Sequence, residues 1–132
     1  MMDLGVLIIR MVIGILFIGH GAQKLFGWFG GYGLKGTGGW FESMGMKPGV
    51  TMALLAGLAE LSGGILFALG LLTPLAGIVI AGVMIMAIVK VHAPNGLWAT
   101  SNGYEFNLTL IAVAIGIALI GPGKYSIDAF LF

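Results

Sequence analysis

Val50-Thr51-Met52-Ala53-Leu54-Leu55-Ala56-Gly57-Leu58-Ala59-Glu60-Leu61-Ser62-Gly63-Gly64-Ile65-Leu66-Phe67-Ala68-Leu69-Gly70-Leu71-Leu72 is a run of small and aliphatic residues interrupted near its middle by one carboxylate. A transmembrane helix needs about 20 mostly apolar residues, and this run supplies them. An ionised carboxylate at that depth costs several kcal/mol unless something pairs with it. Glu60 is therefore the first candidate functional residue of the chain.

Three further segments have the same character: Leu4 to Phe26, Leu75 to Val91 and Glu105 to Ile120. A tight Thr73-Pro74 turn joins the second and third segments, with the proline at a natural first helical position. Gly121-Pro122-Gly123 stops the last one. Short connections make neighbours antiparallel, so the expected fold is all-α, a polytopic membrane protein built as an up-down bundle of four transmembrane helices. Small residues four apart, Ala53 and Gly57, Gly77 and Ala81, Ala112 and Gly116, are the expected stripes of close helix contact.

The composition supports a lipid environment. Of 132 residues, 59% are hydrophobic and only 8% charged, and the mean hydropathy is +1.10. Soluble domains carry about 25% charged residues. A net charge of +1 without a clustered basic face argues against nucleic acid. The absence of cysteine removes thiolate nucleophiles, iron–sulfur ligation and cysteine-based zinc sites. No metal site is expected, and the eight methionines read as scattered packing filler. Asp3 in the n-region and Arg10 inside the apolar core speak against a cleaved signal peptide, so the first segment is expected to be a retained helix.

Two long loops stand apart, Gly27 to Gly49 and His92 to Tyr104. In an even weave they share one side of the membrane, which gathers Trp28, Trp40 and Trp98 at one end. On the first helix, Arg10, Phe17, His20 and Lys24 fall within an arc of roughly 80°. Arg10 lies about 9 Å from the opposite surface and Glu60 roughly 18 Å from it, which makes an Arg10–Glu60 pair the expected buried ion pair and proton relay. His20 is the competing partner. The remaining polar groups, His20, Lys24, Lys90, His92, Glu105 and Asn107, all belong to the tryptophan end and form the expected ligand-binding set. Four of them also have a plainer reading: Lys24 and Lys90 as snorkelling cations, Glu105 as a helix N-terminal acid, His92 as an interfacial residue.

A series of motifs runs through nearly the whole chain: Gly27-Trp28-Phe29-Gly30-Gly31-Tyr32-Gly33, Gly36-Thr37, Pro48, Glu60 with Gly63-Gly64, and Gly70 before Thr73-Pro74. It continues with His92, Asn102-Gly103-Tyr104-Glu105 and Gly121-Pro122-Gly123-Lys124-Tyr125-Ser126-Ile127-Asp128. In this order the motifs resemble the DoxX family of small four-helix bacterial membrane proteins. The resemblance implies one transmembrane domain over residues 1–132 in the cell membrane. It also implies an association with redox or stress-defence systems, although other relatives are cargo-receptor or assembly proteins. It assigns no catalytic residue.

The functional expectation is thus a membrane subunit that binds a quinone-like or other small apolar ligand at the polar end. Any enzymatic activity would be that of an oxidoreductase subunit working with a redox partner protein. The alternative is a non-catalytic carrier, transporter or assembly protein. No covalent cofactor is expected; a quinone is the ligand to look for. Haem, ligated by His20 and His92, ranks well below it because helix-end histidines are common. The bilayer, a redox partner and a second copy of the chain are the expected associates. Ser62 has no positioned base or oxyanion motif, and the glycine-rich loop follows no strand, so neither acyl transfer nor phosphate binding is indicated. The lysines lean toward cytoplasmic long loops.

Overall fold

Glycine-to-backbone contact between the first and second apolar segments sets the architecture. The computed structural model describes all residues, Met1–Phe132, as helices and connections without a strand. Helix α1, Met2–Phe26, packs against α3, Gly49–Leu69, so closely that a Cβ at Gly14 would lie 2.7 Å from the Gly64 carbonyl oxygen and from the Ala68 Cβ. A Cβ at Gly21 would lie 2.8 Å from the Gly57 carbonyl oxygen. The low residue numbers of α1 meet the high ones of α3, so the two helices are antiparallel. In lipid, such backbone approach replaces the hydrophobic drive that water would supply.

Helix α4, Thr73–Ala87, follows α3 after a short turn. Gly70 closes α3 at φ 66°, a left-handed conformation free of Cβ strain only for glycine. Pro74 sits in the first turn of α4, where its missing N–H costs nothing. Beyond Ala87 the chain continues through one π-helical turn, Ile88–His92, and a short 3₁₀ turn, Ala93–Asn95. Helix α5, Glu105–Ile120, returns antiparallel along α4: a Cβ at Gly77 would lie 2.7 Å from the Ala114 carbonyl oxygen. The expected Ala112–Gly116 stripe is not the one used; Ala112 is exposed and a Cβ at Gly116 would meet nothing within 4 Å. Helices are cylinders, and the face that packs on α4 carries Ala114 and Ala118 instead.

Phe17, Phe67, Ile80, Leu110 and Ala114 form the apolar core between these four helices. Their outer faces expose Val12, Ile15, Leu58, Ile78 and Ile85, as a lipid-facing surface does. Met2–Phe26, Gly49–Leu69 and Thr73–Asn95 are each long and apolar enough to cross a membrane, while Glu105–Ile120 is shorter. Two helices were not expected. Helix α2, Gly33–Ser43, lies inside the first long loop, and α6, Ile127–Leu131, closes the chain. Glycine in α2 serves packing: a Cβ at Gly38 would lie 2.8 Å from the Val50 nitrogen at the start of α3.

The terminal end is tied by Arg10 and Asp128. Arg10, fully buried, donates from Nη1 to the Ala68 carbonyl at 3.0 Å and from Nη2 to the Tyr125 carbonyl. A guanidinium at a helix C-terminus satisfies carbonyls the helix cannot. Asp128 covers the other helix end, accepting from the Leu72 N–H at 2.8 Å, the Thr73 N–H at 2.9 Å and the Thr73 hydroxyl at 2.8 Å. Burial alone pushes the Asp128 carboxyl up. The bonds from Thr73 and Leu72, with the Arg10 charge, outweigh that and hold it below the ordinary carboxylate range.

A depressed folded pKa means Asp128 stabilises the fold above its unfolded pKa, and that this contribution disappears as pH falls through the folded value. Thermal unfolding in detergent should therefore show Asp128→Asn less stable than wild type at neutral pH, with the gap closing in acid. A gap of about 1 kcal/mol, typical of a lost helix-end cap, is the expected size. A gap that stayed constant through the acid range would remove the charge from this account.

Candidate functional site

The α1–α3 register decides which charges meet. With Gly14 opposite Gly64–Ala68 and Gly21 opposite Gly57–Leu61, Arg10 falls at the level of Gly70 and Glu60 at the level of His20. Ten residues of helix, about 15 Å, separate Arg10 from Glu60. The expected Arg10–Glu60 pair does not form; Arg10 is consumed by the terminal latch. Glu60 pairs instead with Lys24, Nζ to Oε1 at 2.6 Å. The Glu60 side chain is only 4% exposed and that of Lys24 23%, so the carboxylate is buried and the ammonium stands at the edge.

The pair forms part of the wall of a cavity of about 850 Å³ at the tryptophan end. Helix α1 contributes Phe17, His20 and Lys24, α3 contributes Met52 and Glu60, and α4 with its π-turn contributes Met84, Met86, Lys90 and His92. Asn107 comes from α5, and Trp40 and Phe41 come from α2. Of the expected ligand set, His20, Lys24, Lys90, His92 and Asn107 thus share one cavity. Glu105 does not belong to it. Its Oε1 accepts from the Ala99 N–H at 3.1 Å and its own N–H donates to Leu97 O at 2.7 Å, so it fastens the second long loop at the start of α5.

Hydrogen bonds orient the imidazoles. His92 Nδ1–H donates to the Asn102 carbonyl at 2.9 Å, which leaves Nε2 as the acceptor of the neutral ring. His20 Nδ1 lies 3.2 Å from Gln23 Oε1, and the ring stands edge-on to Phe17 with centroids 6.2 Å apart. Asn107 Nδ2 donates to Met84 Sδ at 3.5 Å, a weak bond for a buried amide. A second, more polar cavity of about 670 Å³ lies under the glycine-rich loop, lined by Gln23, Gly30, Gly31, Tyr32 and Thr37. Lys24 and Trp40 line both cavities, so the ion pair stands where the two meet.

Two elements of the site had little trace in the sequence. The methionines are not scattered: Met44, Met46, Met52, Met84 and Met86 all line the larger cavity. They lie on three stretches of chain, so linear spacing hides the cluster. Trp40 and Phe41 arrive on α2, whose glycines disguise it as loop.

The DoxX family model matches residues 5–93. The chain belongs to the DoxX family. It is 33% identical over 132 residues to "Putative oxidoreductase CatD" of Bacillus subtilis (strain 168), covering 98% of this chain and 89% of that protein. It is also 33% identical over 129 residues to "Inner membrane protein YqjF" of Escherichia coli (strain K12), covering 98% and 93%. No solved structure matches it. Family membership, three spanning helices and an inner-membrane relative make this DoxX protein a multi-pass protein of the plasma membrane.

Removing one partner of a buried pair costs more than the pair contributes, because the other charge stays desolvated. Lys24→Met is expected to destabilise the protein by about 3 kcal/mol because it strands the buried Glu60 carboxylate, and Glu60→Gln by distinctly less because the ammonium left behind stands at the edge. Thermal unfolding in nanodiscs checks the order. Equal stability of wild type and Lys24→Met would contradict a buried pair.

Proposed function

We propose that this DoxX protein is a membrane subunit of a redox or stress-defence system that holds a quinone-like molecule in the larger cavity. The observation that carries the reading is the Lys24–Glu60 ion pair set in the wall of a mostly apolar chamber inside the helix packing. Cavities of 300–1,000 Å³ with apolar walls and a few converging polar groups are the usual form of small-ligand sites. A quinone carbonyl needs donors, which the Lys24 and Lys90 ammonium groups supply. A quinol hydroxyl needs acceptors, which the Glu60 carboxylate and the His92 Nε2 supply. The site therefore suits both redox states. The adjoining polar cavity gives Lys24 a route for proton exchange with water. Electrons would come from a partner protein; the relative named as an oxidoreductase agrees with a redox setting.

In this reading α5 is the fourth crossing. Its 16 residues rise about 24 Å, short of a 30 Å hydrocarbon core, and Tyr104 and the Gly121-Pro122 segment extend it at both ends. Both termini then share one face and the three tryptophans the other.

Trp40 in the cavity wall makes the test optical. Titrating a short-chain quinone into protein in nanodiscs should quench tryptophan fluorescence saturably, with most of the signal lost in Trp40→Phe. Lys24→Met should weaken binding about tenfold or more, the loss of a charge-assisted hydrogen bond. Absence of saturable quenching, or binding indifferent to Lys24, would refute the proposal. Proton-coupled uptake of a solute without quinone binding would favour a carrier, which the two cavities meeting at one ion pair would also serve.

A further inference from the structure

The larger cavity has a side that faces lipid. Close to their shared turn, α3 and α4 touch: a Cβ at Gly63 would lie 3.2 Å from Val79 Cγ1 and 3.5 Å from Ile80 Cγ1. Further from the turn, Met52, Leu55 and Ala56 on α3 and Gly82, Val83 and Met86 on α4 line the cavity. On each helix these positions continue one stripe, at spacings of three and four residues. Yet here Leu55 is 57% exposed and Met86 49% exposed, Gly82 is exposed, and a Cβ at Gly82 would meet nothing within 4 Å. The two helices form a wedge, closed near Gly63 and open at the level of Leu55 and Met86.

That opening lies inside the Gly49–Leu69 and Thr73–Asn95 spans, about 9 Å from the start of the first. The medium outside it is therefore lipid. None of the six residues along the seam is charged, so nothing there holds water or a polar head. The chamber, about 850 Å³, is near the upper end of the range for drug-sized ligands and larger than a single ring needs. Unbranched methionine side chains at its walls adapt to a flexible chain.

Resting on the quinone reading above, the geometry points to a lateral portal between α3 and α4. The isoprenoid tail of a membrane quinone lies in this portal and extends into the bilayer, while its head sits at Lys24 and Glu60. The protein thus selects tailed quinones and loads them from the membrane, not from water.

The test compares a tail-less quinone with one bearing a short isoprenoid tail, each titrated into protein in nanodiscs, with concentrations corrected for partitioning into lipid. Wild type should prefer the tailed form severalfold, through packing of the tail along the seam, because transfer out of lipid adds no hydrophobic term. Gly82→Trp places a ring in the portal where no backbone opposes it, and should erase the preference for the tailed form. Leu55→Trp, on the opposite lip, is the second variant, and both are checked for wild-type elution and helicity. Wild-type binding blind to the tail, or a preference unmoved by both variants, overturns the portal alone. A seam that keeps phospholipid through purification and shows no tail preference does the same. Failure of wild type to bind either quinone overturns the underlying function and the portal with it.

Discussion

Close backbone contact between α1 and α3 is the constraint on which the rest of the molecule depends. A Cβ at Gly14, Gly21 or Gly64 would collide with the backbone of the facing helix and one at Gly57 with the Leu25 side chain, which holds the two helices in one register. A fixed register fixes which charges are neighbours. One helical turn of slippage would move Lys24 away from Glu60 and Arg10 away from the last carbonyls of α3, at about 5.4 Å per turn. In hydrocarbon both moves are costly, because no water is present to solvate what is left behind.

That register divides the ionisable groups between two jobs at opposite ends. At the terminal end, Arg10 and Asp128 close exposed helix ends and bind the C-terminal segment to the turn at Gly70–Thr73. The bonds there run to backbone groups and to the Thr73 hydroxyl at the helix ends, as expected of a structural tie, and only Arg10 Nε is left without a partner. At the tryptophan end, the charges are fewer than the space around them. Lys24 and Glu60 satisfy each other, but Lys90, His20 and His92 stand around an open chamber with hydrogen-bonding capacity left over. A plug would fill that volume with apolar side chains, which usually stabilise more than buried ions.

Much of this could be read from the residues alone. Segment length and hydropathy located α1, α3, α4 and α5 to within a few residues, because membrane burial makes the apolar signal continuous. The gathering of His20, Lys24, Lys90, His92 and Asn107 followed from antiparallel order. What failed was whatever depended on rotation or register. Depth measured from each helix end pairs Arg10 with Glu60, whereas the glycine contacts set the true offset. Topology places Glu105 at the correct end for a site residue, but its hydrogen bond from the Ala99 N–H turns it to the loop. The methionine lining and α2 were hidden for a related reason: the first is assembled from distant stretches, and the second is a helix whose glycines are chosen for contact rather than propensity.

The central claim is that the α1–α3 register pairs Glu60 with Lys24 and not with Arg10. Double-mutant cycles on thermal stability in nanodiscs test it most directly, using Lys24→Met, Arg10→Met and Glu60→Gln singly and in the two pairs with Glu60. Groups in contact couple by about 0.5–3 kcal/mol, while groups far apart add to within about 0.5 kcal/mol. The account predicts coupling above about 1 kcal/mol for Lys24 with Glu60 and additivity for Arg10 with Glu60. Coupling of Glu60 to Arg10, with none to Lys24, would contradict it.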